Sequence, residues 1–208
     1  MTPTEFDDWL KHNDACTDAY EWAESLGFEL ETIYNTCERG EWLLWWAGRR
    51  DIDRKVLVKA AVECAALALP YTDDQRVHDC ISVTRAWCEG KATDEVVHIY
   101  RMKLPSILED AKTSPSTAVF AGDAAAAASG VASGWHTQYI YRAVREAAAA
   151  ATDSSVDPDA AIIKQCADIV RQYITLEMLT RKLPPPQPVR SRFVRWLLAL
   201  RQRLASVC

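Results

Sequence analysis

Arg39-Gly40-Glu41-Trp42-Leu43-Leu44-Trp45-Trp46-Ala47-Gly48-Arg49-Arg50 places three of the chain's eight tryptophans within five positions. If the stretch is helical, Arg39, Trp42, Trp46 and Arg49 are spaced by three, four and three and share a face, with Trp45 beside it. Residues 41–47 read as Trp-rich turns, and two roles stand open for them. The rings can fill a core beneath short helices while the arginines pair with nearby acids. Alternatively they form a recognition patch, because Trp and Arg dominate protein interfaces. Different rings can serve different roles.

Helix signals run outward from this stretch in both directions. Thr2-Pro3-Thr4-Glu5 reads as a capping box with proline at the first helical position, opening a helix through Leu10. Asn13 or Asp14 is expected to cap a second, running to Ser25 and closed by Gly27. A third spans about Glu29 to Glu38. Beyond the tryptophans, Asp51 is expected to cap a helix carrying Val56, Ala60, Cys64 and Leu67, ended by Pro70. Residues 73–89 give another, with Val77, Ile81, Thr84 and Cys88 on one stripe and Gly90 as terminator. Thr93 caps a helix that Pro105 must kink or break. Ser114-Pro115 starts a long Ala-rich segment, 116–151, and Asp157-Pro158 starts the last helix of the body. Alanine is the best helix former, and its small side chain lets helices pack closely. Gly122, Gly130 and Gly134 either weaken that segment or mark close approaches. No alternating run is bounded by hairpin turns. The expected class is all-α: a multi-helix bundle of short and medium helices.

Three segments follow: a helical body over 1–182, a linker over 183–188, and a basic amphipathic helix over 189–208. The linker, Leu183-Pro184-Pro185-Pro186-Gln187-Pro188, is stiffened by its prolines. After it, Phe193, Trp196, Leu197, Leu200 and Leu204 fall on one helical face, flanked by Arg192 and Arg195. A short basic helix with Trp and Phe on its apolar face has the composition of an interfacial helix, with arginine stems able to snorkel. The same face can dock on the acidic body or on a second copy of the chain.

The net charge is −5, with 24 Lys and Arg against 29 Asp and Glu. Five of those arginines lie in 189–208 and no acid does, which leaves 19 against 29 over residues 1–188, a net of −10. An acidic body argues against nucleic-acid binding. Seven cysteines form an odd set without a CxxC pair, which reads as reduced, buried thiols in a cytoplasm. The opening Met1-Thr2-Pro3-Thr4-Glu5 leads us to expect no leader segment, and no apolar run reaches the ~18 residues that a membrane span needs. The expected location is cytoplasmic, with membrane association only through the tail.

No residue pattern points to a catalytic centre, a metal or a cofactor. His12, His78, His98 and His136 are scattered without metal-ligand spacing, and His136 reads as exposed or satisfied rather than as part of a cleft. Asp14, Asp18 and Glu21 share a helical face, which caps and solvation explain. Phosphate-binding, dinucleotide-binding and nucleophile-elbow motifs are absent.

Several blocks carry a resemblance: Ala15-Cys16…Glu21-Trp22-Ala23, then Arg39-Gly40-Glu41-Trp42-Leu43-Leu44-Trp45, then Ala65…Leu69-Pro70. Arg85-Ala86-Trp87-Cys88-Glu89-Gly90-Lys91-Ala92-Thr93 follows, then the Ala-rich 120s to 140s and Cys166-Ala167-Asp168-Ile169-Val170-Arg171. In this order, from Asp14 to about Tyr173, the chain resembles a family of predicted, Ala-rich, all-helical immunity proteins. That family occurs in bacterial polymorphic-toxin loci and in actinobacterial and phage genomes. The resemblance implies stoichiometric neutralisation of a toxin or effector and names no catalytic residue. The tail after Pro188 lies outside the pattern.

The expected function is therefore non-catalytic binding of a protein effector or toxin, a basic one by charge, through Arg39, Trp42, Trp45, Trp46 and Arg49. The alternative is a membrane-peripheral adaptor or scaffold acting through the tail. A third option is a hydrolase or small-molecule sponge built from scattered helical residues.

Overall fold

A computed structural model describes residues 1–110, 116–134, 136–137, 140–154 and 158–181. Among them every regular element is helical. The linker at 183–188 and the helix expected over 189–208, with Arg192, Phe193, Arg195, Trp196, Leu197, Leu200 and Leu204, lie outside the described residues.

Helix α1 (Pro3–His12) opens on the expected capping box. Glu5 N donates to Thr2 Oγ1 at 3.2 Å and Thr2 N to Glu5 Oε2 at 2.7 Å, so two otherwise orphaned donors are satisfied. α2 (Thr17–Ser25) departs from expectation, because its N-cap is Cys16, without a side-chain cap bond. Asn13 closes α1 instead, its Nδ2 donating to Trp9 O at 2.8 Å, and Asp14 turns the chain at φ +54°. Then come α3 (Leu30–Thr36) and α4 (Gly40–Ala47). The Trp-rich stretch is thus one short helix, with Arg39 at its cap and Arg49 past its end.

α5 (Arg54–Ala65) is capped by Asp53, not Asp51: Asp53 Oδ1 accepts from Lys55 N and Val56 N. A 3-10 segment (Ala66–Tyr71) absorbs Pro70, and α6 (Gln75–Cys88) starts at Asp74. α7 (Asp94–Arg101) is capped by Thr93 as expected. Pro105 neither kinks nor ends that helix. It opens α8 (Pro105–Asp110), where its missing N–H costs nothing. The Ala-rich segment divides into α9 (Ser116–Ala132) and α10 (Arg142–Thr152). Asp159 caps α11 (Ala160–Tyr173), and Thr175 caps a short α12 (Leu176–Thr180) that no sequence signal had suggested.

Two kinds of core result. α9 and α10 lie against each other and against α5, and α6 packs on α9. The buried residues there include Ala60, Ala61, Ala121, Ala124, Ala128, Ala147 and Ala148. With only a methyl group per position, the backbones come close. The second core is aromatic and joins α1 to α4. Phe6 lies 4.8 Å from Trp46 between ring centroids, and Trp9 lies 5.5 Å from Trp45 and 6.4 Å from Trp46. These separations are those of interlocked aromatic pairs.

Two glycines set where α4 sits. A Cβ at Gly40 would lie 2.7 Å from Ala167 N, so the start of α4 presses directly on α11. A Cβ at Gly48 would lie 2.5 Å from Thr137 O, and Thr137 Oγ1 donates back to Gly48 O at 2.6 Å. The segment leading to α10 is thereby pinned to the end of α4. Arg171 adds a clamp on α3, donating from Nε to Tyr34 O at 2.9 Å and also to Cys37 O, while Tyr34 Oη donates to Ile174 O at 2.9 Å.

Candidate functional site

α4 is apolar almost all round, which suits a helix buried on several sides. Leu43, Leu44, Trp46 and Ala47 are indeed buried. The open side is left to Trp42 and Trp45, three residues apart and each half-buried. An arginine from just outside the helix covers each ring. The Arg39 guanidinium lies 4.6 Å from the Trp42 ring centre and Arg49 lies 4.2 Å from that of Trp45, both within cation–π range.

The face expected from Arg39, Trp42, Trp46 and Arg49 is therefore divided. Both arginines lie outside the helix, so helical spacing does not place them on one face. Trp46, 3% exposed, turns inward to Phe6 and Trp9. It belongs to the core, whereas Trp42 and Trp45 border open space.

That space is a cleft of about 660 Å³. Arg39, Glu41, Trp42, Trp45 and Arg49 line one side of it. Asp14 comes from the turn between α1 and α2 and Asp18 from the first turn of α2, and Tyr141 and Arg145 come from the start of α10. Six of the fourteen lining residues are charged, three of each sign (Asp14, Asp18 and Glu41; Arg39, Arg49 and Arg145). Glu21, expected to share a face with Asp14 and Asp18, is absent from this cleft. Arg145 stands exposed on α10.

Glu41 is the unusual member. It lies in the first turn of α4, where the helix dipole favours a carboxylate, yet it is only 5% exposed. Its Oε1 accepts from Arg39 Nε at 2.6 Å and forms an ion pair with Arg39 Nη2 at 2.6 Å. Its Oε2 is buried and has no hydrogen-bond partner. Buried carboxylate oxygens are ordinarily satisfied, because an unmade hydrogen bond there costs about 1–3 kcal/mol or more. Arg39 therefore has a structural duty as well as a place in the cleft. Truncating it would strand a buried charge.

A second cleft of about 610 Å³ lies over α9 and α10, lined by Asp123, Ala126, Ala127, Val131, Gly134, His136 and Arg142. Burial holds the Asp123 and Glu146 carboxyls above the usual carboxylate range, against the opposing pull of Arg142. Arg142 lies 3.4 Å from Glu146. His136, expected to be exposed or satisfied, is exposed and borders this cleft. His78 is satisfied, with Nε2 2.9 Å from Thr72 O.

Among the described residues, no group of three or more His, Cys, Asp or Glu is placed to hold a metal ion. The described cysteines are free thiols. Burial pushes the Cys37 thiol, at the foot of α4, up to about 11, which keeps it protonated and unreactive at neutral pH. No described helix is long and apolar enough to cross a membrane.

Glu41, Tyr141 and Arg145 were not singled out from sequence. Glu41 carried one signal, a carboxylate set directly against an apolar helix. Tyr141 and Arg145 carried none, since only the tertiary fold sets α10 opposite α4. Comparison with protein-family models, with curated proteins and with solved structures found no match.

Proposed function

We propose that this chain is a non-catalytic binding protein that neutralises a toxin or defence effector by seating part of it in the cleft beside α4, one partner per chain. One observation carries this reading: two arginines stack on two half-buried tryptophans along a single cleft. Trp, Tyr and Arg are the residues that concentrate binding energy at protein interfaces, and here Trp42 and Trp45 stand on α4 and Arg145 on α10. Small-molecule pockets are mostly apolar with a few polar groups, whereas this cleft carries three charges of each sign. The acidic body favours a basic partner and would speed its approach. The resemblance to immunity proteins points the same way.

Arg145→Ala is the clean probe, because Arg145 stands exposed on α10; Arg49→Ala is its companion and also uncovers the Trp45 ring. Each is expected to weaken partner binding about tenfold or more, a typical cost for interface arginines, and Arg145→Ala should leave the melting temperature unchanged. A toxin or effector identified from the gene neighbourhood is the ligand for that measurement. If affinity survives both changes, the cleft is not the binding surface. The alternative, a membrane-peripheral adaptor, rests on the sequence of 189–208. It predicts salt-sensitive co-sedimentation with anionic vesicles that is lost when the chain ends at Leu183.

A further inference from the structure

The second cleft, over α9 and α10, differs in kind from the one beside α4. Its walls are mostly small and apolar, formed by Ala126, Ala127, Val131 and Gly134. It carries two formal charges, Asp123 and Arg142, where the first cleft carries six. A concave, mainly apolar space of about 610 Å³ with few polar groups is the form of a small-molecule site. The two clefts share no lining residue.

Its two charges are not equally free. Arg142 lies 3.4 Å from Glu146, which is outside the lining, so its charge is already matched. Asp123 lines the cleft, is partly exposed, and makes no hydrogen bond or ion pair among the described residues. Burial holds its carboxyl above the usual range, the mark of a carboxylate that has lost water without gaining a bonded partner. Such a group costs stability. A cost of this kind, borne by a residue that lines a cleft, points to binding rather than to folding.

We propose that this second cleft binds a small organic cation, a compact apolar body carrying one protonated amine. Asp123 pairs with the amine, and Ala126, Ala127 and Val131 receive the body. Because the carboxylate is already partly desolvated, pairing there costs less than at a fully hydrated acid. A metal ion does not suit a lone carboxylate, and no group of three His, Cys, Asp or Glu is placed to hold one among the described residues. An anion would meet an arginine already engaged by Glu146 and the repulsion of Asp123.

The test is a titration of the full-length chain, labelled at its alanine methyls, with 2-phenylethylamine, followed by nuclear magnetic resonance. The Ala126 and Ala127 methyl signals should shift and saturate at about millimolar concentration. 2-Phenylethanol and phenylacetate present the same ring with a neutral and a negative head. Both should bind about tenfold to a hundredfold more weakly, the value of a hydrogen bond to a charged group. This comparison needs no variant. Asp123→Asn, nearly the same in shape, should weaken the amine by the same factor and leave the alcohol unchanged.

Equal binding of the amine and the alcohol would overturn the proposal, because the cleft would then not read charge. Tighter binding of phenylacetate would overturn it in favour of an anion site at Arg142. Full amine affinity in Asp123→Asn, shifts that bypass Ala126 and Ala127, or no saturable binding of the amine would each overturn it as well.

Discussion

The aromatic core joining α1 to α4 and the alanine core around α9 and α10 bury their residues equally well but do different work. In the alanine core most buried positions of α9 and α10 project only a methyl group, so the helices close on each other and little else reaches out. In the aromatic core the side chains are longer than the gap they fill. Phe6 and Trp46 are 3% exposed, whereas Trp42 and Trp45 emerge half-buried at the edge, where arginines cover them. A core made of large rings generates a recognisable surface at its margin. A core made of methyl groups generates backbone proximity instead.

The sharpest way to break this contrast is Trp46→Ala. It should cost about 3–5 kcal/mol, the usual loss for a large buried ring, and a urea titration checks it. The alanine core should fail in the opposite direction, through excess volume. Ala148, fully buried on α10, changed to Leu should cost about 1–3 kcal/mol by the same titration. If instead Ala148→Leu is neutral, those helices have slack and the two cores differ less than argued.

Arg39→Ala comes next, at about 1–3 kcal/mol, because it leaves the Glu41 carboxylate buried without its partner. Adding Glu41→Gln should recover most of that loss. Full stability in the single variant would mean that water or another group reaches Glu41.

The smallest effect separates the cores by pH. Burial raises the Asp123 and Glu146 carboxyls on the alanine side, so the folded state holds their protons more tightly than the unfolded chain does. Their contribution to stability is complete below the unfolded carboxylate values and is lost as pH rises through the raised folded values. Asp7, on α1 of the aromatic side, is lowered, chiefly by its hydrogen bond from Lys11, and contributes in the opposite sense, its share lost as pH falls through its depressed value. Asp123→Asn with Glu146→Gln should therefore raise the melting temperature at neutral pH and leave it nearly unchanged at strongly acidic pH. A rise of equal size at both would remove titration as the cause.

Much of the helical order was legible because it is written in local chemistry. The Thr2–Glu5 box, the Thr93 cap and the stripe through Val77, Ile81 and Thr84 act within one or two turns, and each appears where expected. Where two candidates competed for one role, local reading chose poorly. Asp51 and Asp53 are equally good caps by type, and Asn13 serves the end of α1 rather than the start of α2. The cleft was half legible. Its tryptophans and two of its arginines announce themselves by composition, but the helical face assigned to them assumed a helix longer than α4. Arg145 and Tyr141 reach the cleft because α10 packs on α9, α5 and α11 and because Thr137 is fastened to Gly48, a contact between residues 89 positions apart. No window of sequence contains that information.

The clamp formed by Arg171 on Tyr34 and Cys37 bears on how the molecule is made. Its two ends lie 134 residues apart, between Cys37 and Arg171. At about 5–20 residues per second of synthesis, the first end waits roughly 7–27 s for the second to emerge from the ribosome. During that interval α4 can lean on α1 through Phe6 and Trp9 but has nothing to press against at Gly40. The nascent chain is therefore most dependent on chaperones between the appearance of Trp46 and that of Ala167, and a rare-codon pause inside that window should lower the soluble yield more than the same pause placed after it.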